Sequence, residues 1–380
     1  MIRQAYSTAV LTLLLSACST LDALNPFSTS GPKIAELTPI ESSSAPHVLW
    51  QSQVGKSDGA SFTPAVVGSS VYAAARDGTL MRIDDGQTVW KINAGQSLAG
   101  GVGADSSLVV VGTAKGDLLA YASADGQLRW KAKASSEIIA PPAVAPGVVI
   151  VRSGDHRLAA YDAFEGQRKW IYQRPTPPLS LRTTASPLVI DKYVFAGFPG
   201  GKLIALGIHN GAPLWEGTVA LPKGATELDR VADISSLPVI DGRTVCVAAY
   251  QGRVACFDLG SGSLIWAREI SSAAGLAIDS RHVFVSDDKG ALHALDKHSG
   301  ASVWKQDKLF LRQLTAPLSV NRRLAVADLQ GYVHFLRPED GSFAARLATD
   351  GTAVVAPLQR QGDHLVMQTR GGRVLAIEEP

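Results

Sequence analysis

The sequence predicts an all-β fold: a single eight-bladed β-propeller of four-stranded blades. Three observations predict it. The seven tryptophans, Trp50, Trp90, Trp130, Trp170, Trp215, Trp266 and Trp304, stand at intervals of 40, 40, 40, 45, 51 and 38 residues. A glycine precedes six of them by four residues, at Gly86, Gly126, Gly166, Gly211, Gly262 and Gly300. Upstream, a glycine followed by apolar alternation recurs, clearly in Gly116–Tyr121, Gly201–Leu206 and Gly290–Leu295. It recurs more weakly at Gly78, Gly252, Gly331 and Gly372, and an eighth copy carries His156 in place of Gly. Units of about 40 residues, each with four short strands, are the mark of propeller blades.

Length alone, 380 residues, suggests two or three domains. The repeat reduces that to one ring. Lysines and arginines number 36 against 34 acidic residues, for a net charge of +2. So small an excess argues against a nucleic-acid protein held by phosphate neutralisation. Three cysteines are too few for a disulfide scaffold or a zinc ribbon.

Residues 1–17 read as a lipoprotein signal peptide. Arg3 supplies a positive start, Ala9–Leu15 a short apolar stretch, and Ser16-Ala17 small residues before Cys18. The apolar stretch is too short to span a bilayer. Leu15-Ser16-Ala17-Cys18 resembles the bacterial lipobox, which implies acylation of Cys18 and a membrane contact through the lipid anchor only. Ser19 stands where an inner-membrane retention signal would have Asp, which favours the outer membrane. Residues 18–46, rich in Ser, Thr and Pro with no sustained apolar period, read as a flexible tether.

Residues 47–380 form the propeller, at about 42 residues per blade. Each blade opens on a strand that often begins at proline, as at Pro64, Pro142, Pro187, Pro238, Pro317 and Pro357. A second strand follows, as in Leu108–Val111 or Val148–Val151, then the glycine-led strand and the tryptophan strand, with Gly, Asp and Ser turns between. The last copy, near Gly372–Ile377, has no tryptophan strand after it, while His47–Trp50 is a tryptophan strand with nothing before it. The N-terminal strand therefore completes the last blade and closes the ring, which removes a raw sheet edge. One tryptophan slot is vacant, at Ala345, and looser packing is expected there.

The pattern around Asp296, Gly300 and Trp304 resembles the tryptophan-docking repeat of quinoprotein (PQQ-type) propellers. All seven tryptophans read as structural, each indole covering the flank of a neighbouring blade. Other motifs fail. Gly55-Lys56-Ser57 lacks the earlier glycine of a P-loop, and Gly101-Val102-Gly103 lacks its third glycine and a following helix. No nucleophile elbow appears. The eight histidines show no metal-ligand spacing, and the slot shared by His293 and His334 reads as a tolerant strand position. No catalytic residue, metal site or cofactor is expected. Cys246 and Cys256 lie symmetrically about Gln251; a cross-strand disulfide and two small buried apolar residues are both open, since one register step would part them.

Insertions locate function on a repeat scaffold. Trp170 to Pro187 spans 17 residues and Trp215 to Pro238 spans 23, against 12 to 14 elsewhere. Both connections emerge on one face and flank one blade. The first holds Leu179, Leu181 and Arg182: on an extended segment the two leucines point the same way beside an arginine. A protein-binding patch and a loop tucked onto its own blade both fit. The second holds Asp229 and Asp233, the latter able to meet a basic partner or to cap the turn before Pro238.

Lipobox, tether, eight repeats, the Leu-Ser-Leu-Arg loop and the Glu-Leu-Asp-Arg-x-x-Asp stretch together resemble the BamB family, the outer-membrane protein assembly factor lipoproteins. The resemblance covers the whole chain. It implies a non-enzymatic scaffold, lipid-anchored at the periplasmic side of the outer membrane. Its partners would be the POTRA domains of the insertase BamA within the Bam complex, and unfolded outer-membrane protein clients. It implies partner binding through Leu179, Leu181, Arg182 and Asp233. The family's second acidic position is Ser235 here, where Asp229 could compensate. Two other readings are a periplasmic PQQ-dependent dehydrogenase, whose calcium constellation and adjacent cysteines are missing, and a propeller that binds glycans in its channel.

Overall fold

A computed structural model describes residues 33–40 and 45–379. Among them, every regular element is a strand, and the strands assemble into eight separate four-stranded antiparallel sheets. Seven sheets are contiguous in sequence: blades 1 to 7 span 65–93, 103–133, 143–172, 188–218, 239–268, 275–306 and 318–348. Blade 8 joins three strands from 359–378 to His47–Gln53, with His47 opposite Glu378 and Gln53 opposite Arg373. The predicted ring and its closure are both present.

Burial follows position in the blade. Second strands such as Val148–Arg152 and Leu108–Gly112 are buried along their whole length, because blades cover both of their faces. Outer strands such as Arg168–Tyr172 are mostly exposed, with the tryptophan buried and Tyr172 half-buried. Inner strands are only two to four residues long, mix buried and half-buried residues, and line the axial channel. Their shortness matches the crowding of eight strands at one axis.

A feature not anticipated by spacing unites the blades. In all eight, the third and fourth strands slip register by one residue immediately before the tryptophan slot. In blade 3, Ala160 pairs with Trp170 and Tyr161 with Arg168, leaving Lys169 unpaired. Such a bulge sharpens the twist and re-aims the next side chain, here sending the indole onto the following blade. Trp90 Nε1 donates to Ser123 O at 2.9 Å, Trp130 to Ala163 O at 2.8 Å and Trp304 to Pro338 O at 2.8 Å. Each indole lies against the turn glycine of that next blade. At Gly341, with φ 70°, an added Cβ would sit 2.5 Å from the Trp304 ring, so only glycine fits.

This direction of docking accounts for Ala345. A tryptophan there would need a turn glycine between the last two strands of blade 8, and those strands are joined by no turn, being the two ends of the ring. The expected looseness is not seen: Ala345 has 0% exposure and packs with Phe335, Met367, Leu375 and Ile377. Arg323 then pairs with Glu379 at 2.8 Å, and Asn321 donates to Glu379 O.

Cys246 and Cys256 are directly opposite in register within blade 5 and form a disulfide, both fully buried. The His293 and His334 slot is more than tolerant. Each ring meets an aspartate six residues earlier, Asp287 and Asp328, at 2.9 Å. A strand residue at this position faces the turn before it, within reach of that carboxylate.

Candidate partner-binding face

In each blade the connection to the next blade and the turn between the second and third strands lie on one face. The two long connections, 173–187 and 219–238, emerge there on either side of blade 4. Asp233 joins them. It is 3% exposed, and both carboxylate oxygens are used: Oδ2 accepts from Leu181 N at 2.6 Å and Oδ1 from Gly200 N at 3.0 Å. A second tie runs from Thr183 Oγ1 to Ser235 O at 3.1 Å. Asp233 thus faces inward and holds the first loop on the second, instead of presenting its charge to solvent. Ser235 is half-buried, and its backbone carbonyl takes the loop contact.

The loop bends at Pro178-Leu179 and is not one flat extended run. Leu179 is 43% exposed, while Leu181 is half-buried. Arg182 is exposed and pairs with Glu137, in the connection between blades 2 and 3, at 3.1 Å. At an exposed site such a pair contributes about 0–1 kcal/mol, so Arg182 is readily available to another carboxylate. The Glu137 carboxyl sits below its usual range, first because Ser136 donates to it and then through Arg182.

Beneath the loop lies His156, the residue that replaces glycine in its repeat. It adopts a left-handed φ of 62°, as the equivalent Gly116, Gly290 and Gly331 do at 80°, 88° and 78°. Its Nε2 meets Ser180 Oγ at 2.8 Å. Burial, and then the nearby Arg152 guanidinium, push the imidazole below its ordinary value, which keeps it neutral near pH 7. Arg152 itself is 4% exposed, stacks on Phe198 at 5.3 Å and is pushed down to about 10 by burial.

Asp229, offered above as a substitute acid, accepts from Thr226 N and Oγ1 and shapes its own loop. Sequence reasoning passed over Leu228 and Leu221, which are 71% and 59% exposed on the second connection. The length of that insertion was the available signal. His156 was visible as an oddity in its repeat, but its contact with Ser180 was not.

The axial channel holds two cavities of about 490 and 500 Å³. The first is lined by residues such as Pro142, Pro187, Ser236, Thr315 and Pro357, with no charged side chain; the second adds Arg360 alone. Among the described residues no group of three or more His, Cys, Asp or Glu could hold a metal ion. A PQQ molecule is a polyanion that needs cations and calcium, and these linings do not fit it. Cys18 lies outside the described residues.

A family model described as outer membrane protein assembly factor BamB matches residues 76–306. Proteins of that name are similar over most of their length. The one from Bordetella pertussis is 40% identical over 91% of this chain and 90% of its own. The one from Pseudomonas aeruginosa is 45% identical over 90% and 91%. Among solved structures, BamB from Moraxella catarrhalis superposes with a TM-score of 0.83 at 28% identity, covering 88% of this chain and all of that one. Quinohemoprotein alcohol dehydrogenase from Comamonas testosteroni, at 15% identity and a TM-score of 0.71, shares the fold alone.

Proposed function

The chain belongs to the BamB family of outer membrane protein assembly factors, and from that premise we propose that it is a non-enzymatic scaffold that binds the POTRA domains of the insertase BamA. In this reading it is anchored through acylated Cys18 at the periplasmic side of the outer membrane and assists the assembly of β-barrel proteins.

The observation that carries the reading is the pair of long connections clamped together by Asp233. Clamping two loops costs chain entropy, and a pre-ordered loop has less left to lose when a partner arrives. Leu179 and Arg182 stand out from this clamp as an apolar anchor and a cation on one rigid support. Leu181 acts through its backbone N–H, which Asp233 holds at 2.6 Å. Asp233 is therefore a positioning residue, and Leu179 and Arg182 are the contacts.

The test is co-purification with the insertase after Leu179, Leu181 and Arg182 are replaced together by alanine. Loss of the insertase with an unchanged circular dichroism spectrum supports the assignment. Retention of the insertase by the folded triple variant overturns it. A pull-down through Asp233→Asn separates contact from positioning: it should weaken binding less than the triple change.

A further inference from the structure

The stretch read from composition as tether is in part fixed. Residues 33–40 lie against the boundary of blades 6 and 7. Ala35 N donates to Phe310 O at 3.0 Å, and Arg312 Nη1 donates back to Ala35 O at 2.9 Å. Arg346 Nη1 donates to Thr38 O at 2.9 Å. Leu37 packs on the cluster of Phe284, Leu309 and Leu314. Exposure alternates: Ala35 and Leu37 are half-buried, while Ile34, Glu36 and Thr38 are exposed, as in a strand laid on a surface.

The ring is built to receive this segment. Arg312 is 2% exposed, and its other donors are already spent on Asp328 at 2.6 Å and Gln330 at 2.6 Å. Ala35 O satisfies the remaining arm, which would otherwise be a buried donor with no partner. The loop that aims this guanidinium is strained on both sides, with Leu311 at φ 58° and Gln313 at φ 50°. Bulky residues hold such angles only where the surroundings enforce them. Arg346 is aimed in turn by His334, whose Nδ1 accepts from Arg346 Nε at 3.1 Å. Two arginines, Arg312 and Arg346, thus converge on two backbone carbonyls of a segment more than 270 residues away.

We propose that residues 33–40 form a strap, docked in cis, that fixes where the membrane anchor leaves the ring. The connection carrying Arg312 belongs to the same class as the two long connections, so the exit lies on the partner-binding face. At about 45° per blade, it sits roughly 90–135° around the ring from them. The reach follows. From Cys18 to His47 the chain could extend about 100 Å, at about 3.4 Å per residue. From Cys18 to Lys33 it can extend only about 50 Å. The strap halves the distance at which the ring can stand from the bilayer and turns the partner-binding face toward it. The reach rests on the lipid-anchor reading; the strap does not.

Amide exchange on the full chain carrying Cys18→Ser tests the strap without a membrane. The Ala35 N–H should exchange at least about tenfold more slowly than a free peptide, and Leu37→Asp should abolish that protection while the strands of the ring stay protected. Free-chain exchange of Ala35 in the parent protein overturns the proposal, as does protection that survives Leu37→Asp. For the reach, acylated protein labelled at Lys131→Cys is bound to phosphatidylethanolamine–phosphatidylglycerol vesicles containing an acceptor lipid. Energy transfer should fall when Leu37→Asp is added, and unchanged transfer overturns the reach. Mass measurement of the membrane-extracted chain reads the acyl groups; their absence would sink the anchor reading while leaving the exchange result intact.

Discussion

Replacing His156 with glycine should leave the ring nearly as stable as before and weaken partner binding. The backbone there has φ 62°, a conformation that costs a non-glycine residue about 1–2 kcal/mol. Glycine recovers that amount. Against it stand the hydrogen bond to Ser180, worth about 1 kcal/mol, and the greater freedom of glycine in the unfolded chain, about 0.5–1 kcal/mol. The contributions cancel to within about 1 kcal/mol, so urea denaturation should show a midpoint close to the parent's. The loop tells a different story. Ser180 loses its hold, while Leu181 stays on Asp233. If the binding loop is pre-ordered by His156, losing about 1 kcal/mol of that ordering weakens binding about fivefold. Calorimetric titration with isolated POTRA domains reads this directly. Unchanged affinity, or a loss of stability above about 2 kcal/mol, would refute the idea that the left-handed histidine is kept for the loop rather than for the core.

Gly341→Ala should destabilise by about 2–5 kcal/mol, combining a left-handed backbone with overpacking against Trp304, whereas Gly351→Ala should cost only the backbone part, about 1–2 kcal/mol. Gly351 has a similar φ of 76° with nothing within 4 Å of an added Cβ, so equal losses in thermal or urea melts would remove the indole contact from the account. The Cys246–Cys256 bond closes a short loop and should contribute about 2.5–3 kcal/mol. Both sulfurs are buried, so dithiothreitol should reduce it only in denaturant, adding two hydrogens by mass. Stability should also fall in acid. His334 lies below its ordinary 6.5, chiefly through burial among Asp328, Arg312, Arg346, Tyr332 and Phe343. The unfolded chain then binds the proton first, so stability is complete above 6.5 and drops by up to about 1.4 kcal/mol per pH unit below it. His156 acts with the same sign, so His334→Gln should remove roughly half of the slope of urea midpoint against pH; an unaltered slope would place the titration elsewhere.

The ring was legible because its constraints are local. A turn glycine, three residues and an indole describe one bulged hairpin, and six such hairpins at near-regular intervals leave little choice of architecture. Ring closure was legible for the same reason, since Trp50 was an outer strand without a blade. Contacts set by direction rather than spacing were hidden. That Trp304 docks forward onto Gly341 cannot be read from intervals, and without that direction the vacancy at Ala345 looks like a defect instead of a consequence of where the chain ends. Asp233 was visible as an acid in a long insertion, but only the fold shows its carboxylate turned inward. The strap was hidden most completely. Ala35 and Leu37 are unremarkable among serines and prolines, and the groove that receives them is assembled from residues near 310, 330 and 346. The disulfide needed a register that only the tight turn around Gln251, with its φ of 47°, decides.

His47 pairs with Glu378, so the first strand made is the last to find its neighbour. Throughout synthesis the growing protein is an arc, with one uncovered face on blade 1 and another on whichever blade is newest. Joining ends 331 residues apart costs about 3 kcal/mol more in chain entropy than closing a ten-residue hairpin. That cost is recovered only once Arg373–Glu378 has emerged. A chain that stopped before Arg373 would therefore have seven sound blades and no ring. Its strand His47–Gln53 would have no neighbour to pair with, so closure of the ring reports that Arg373–Glu378 is in place.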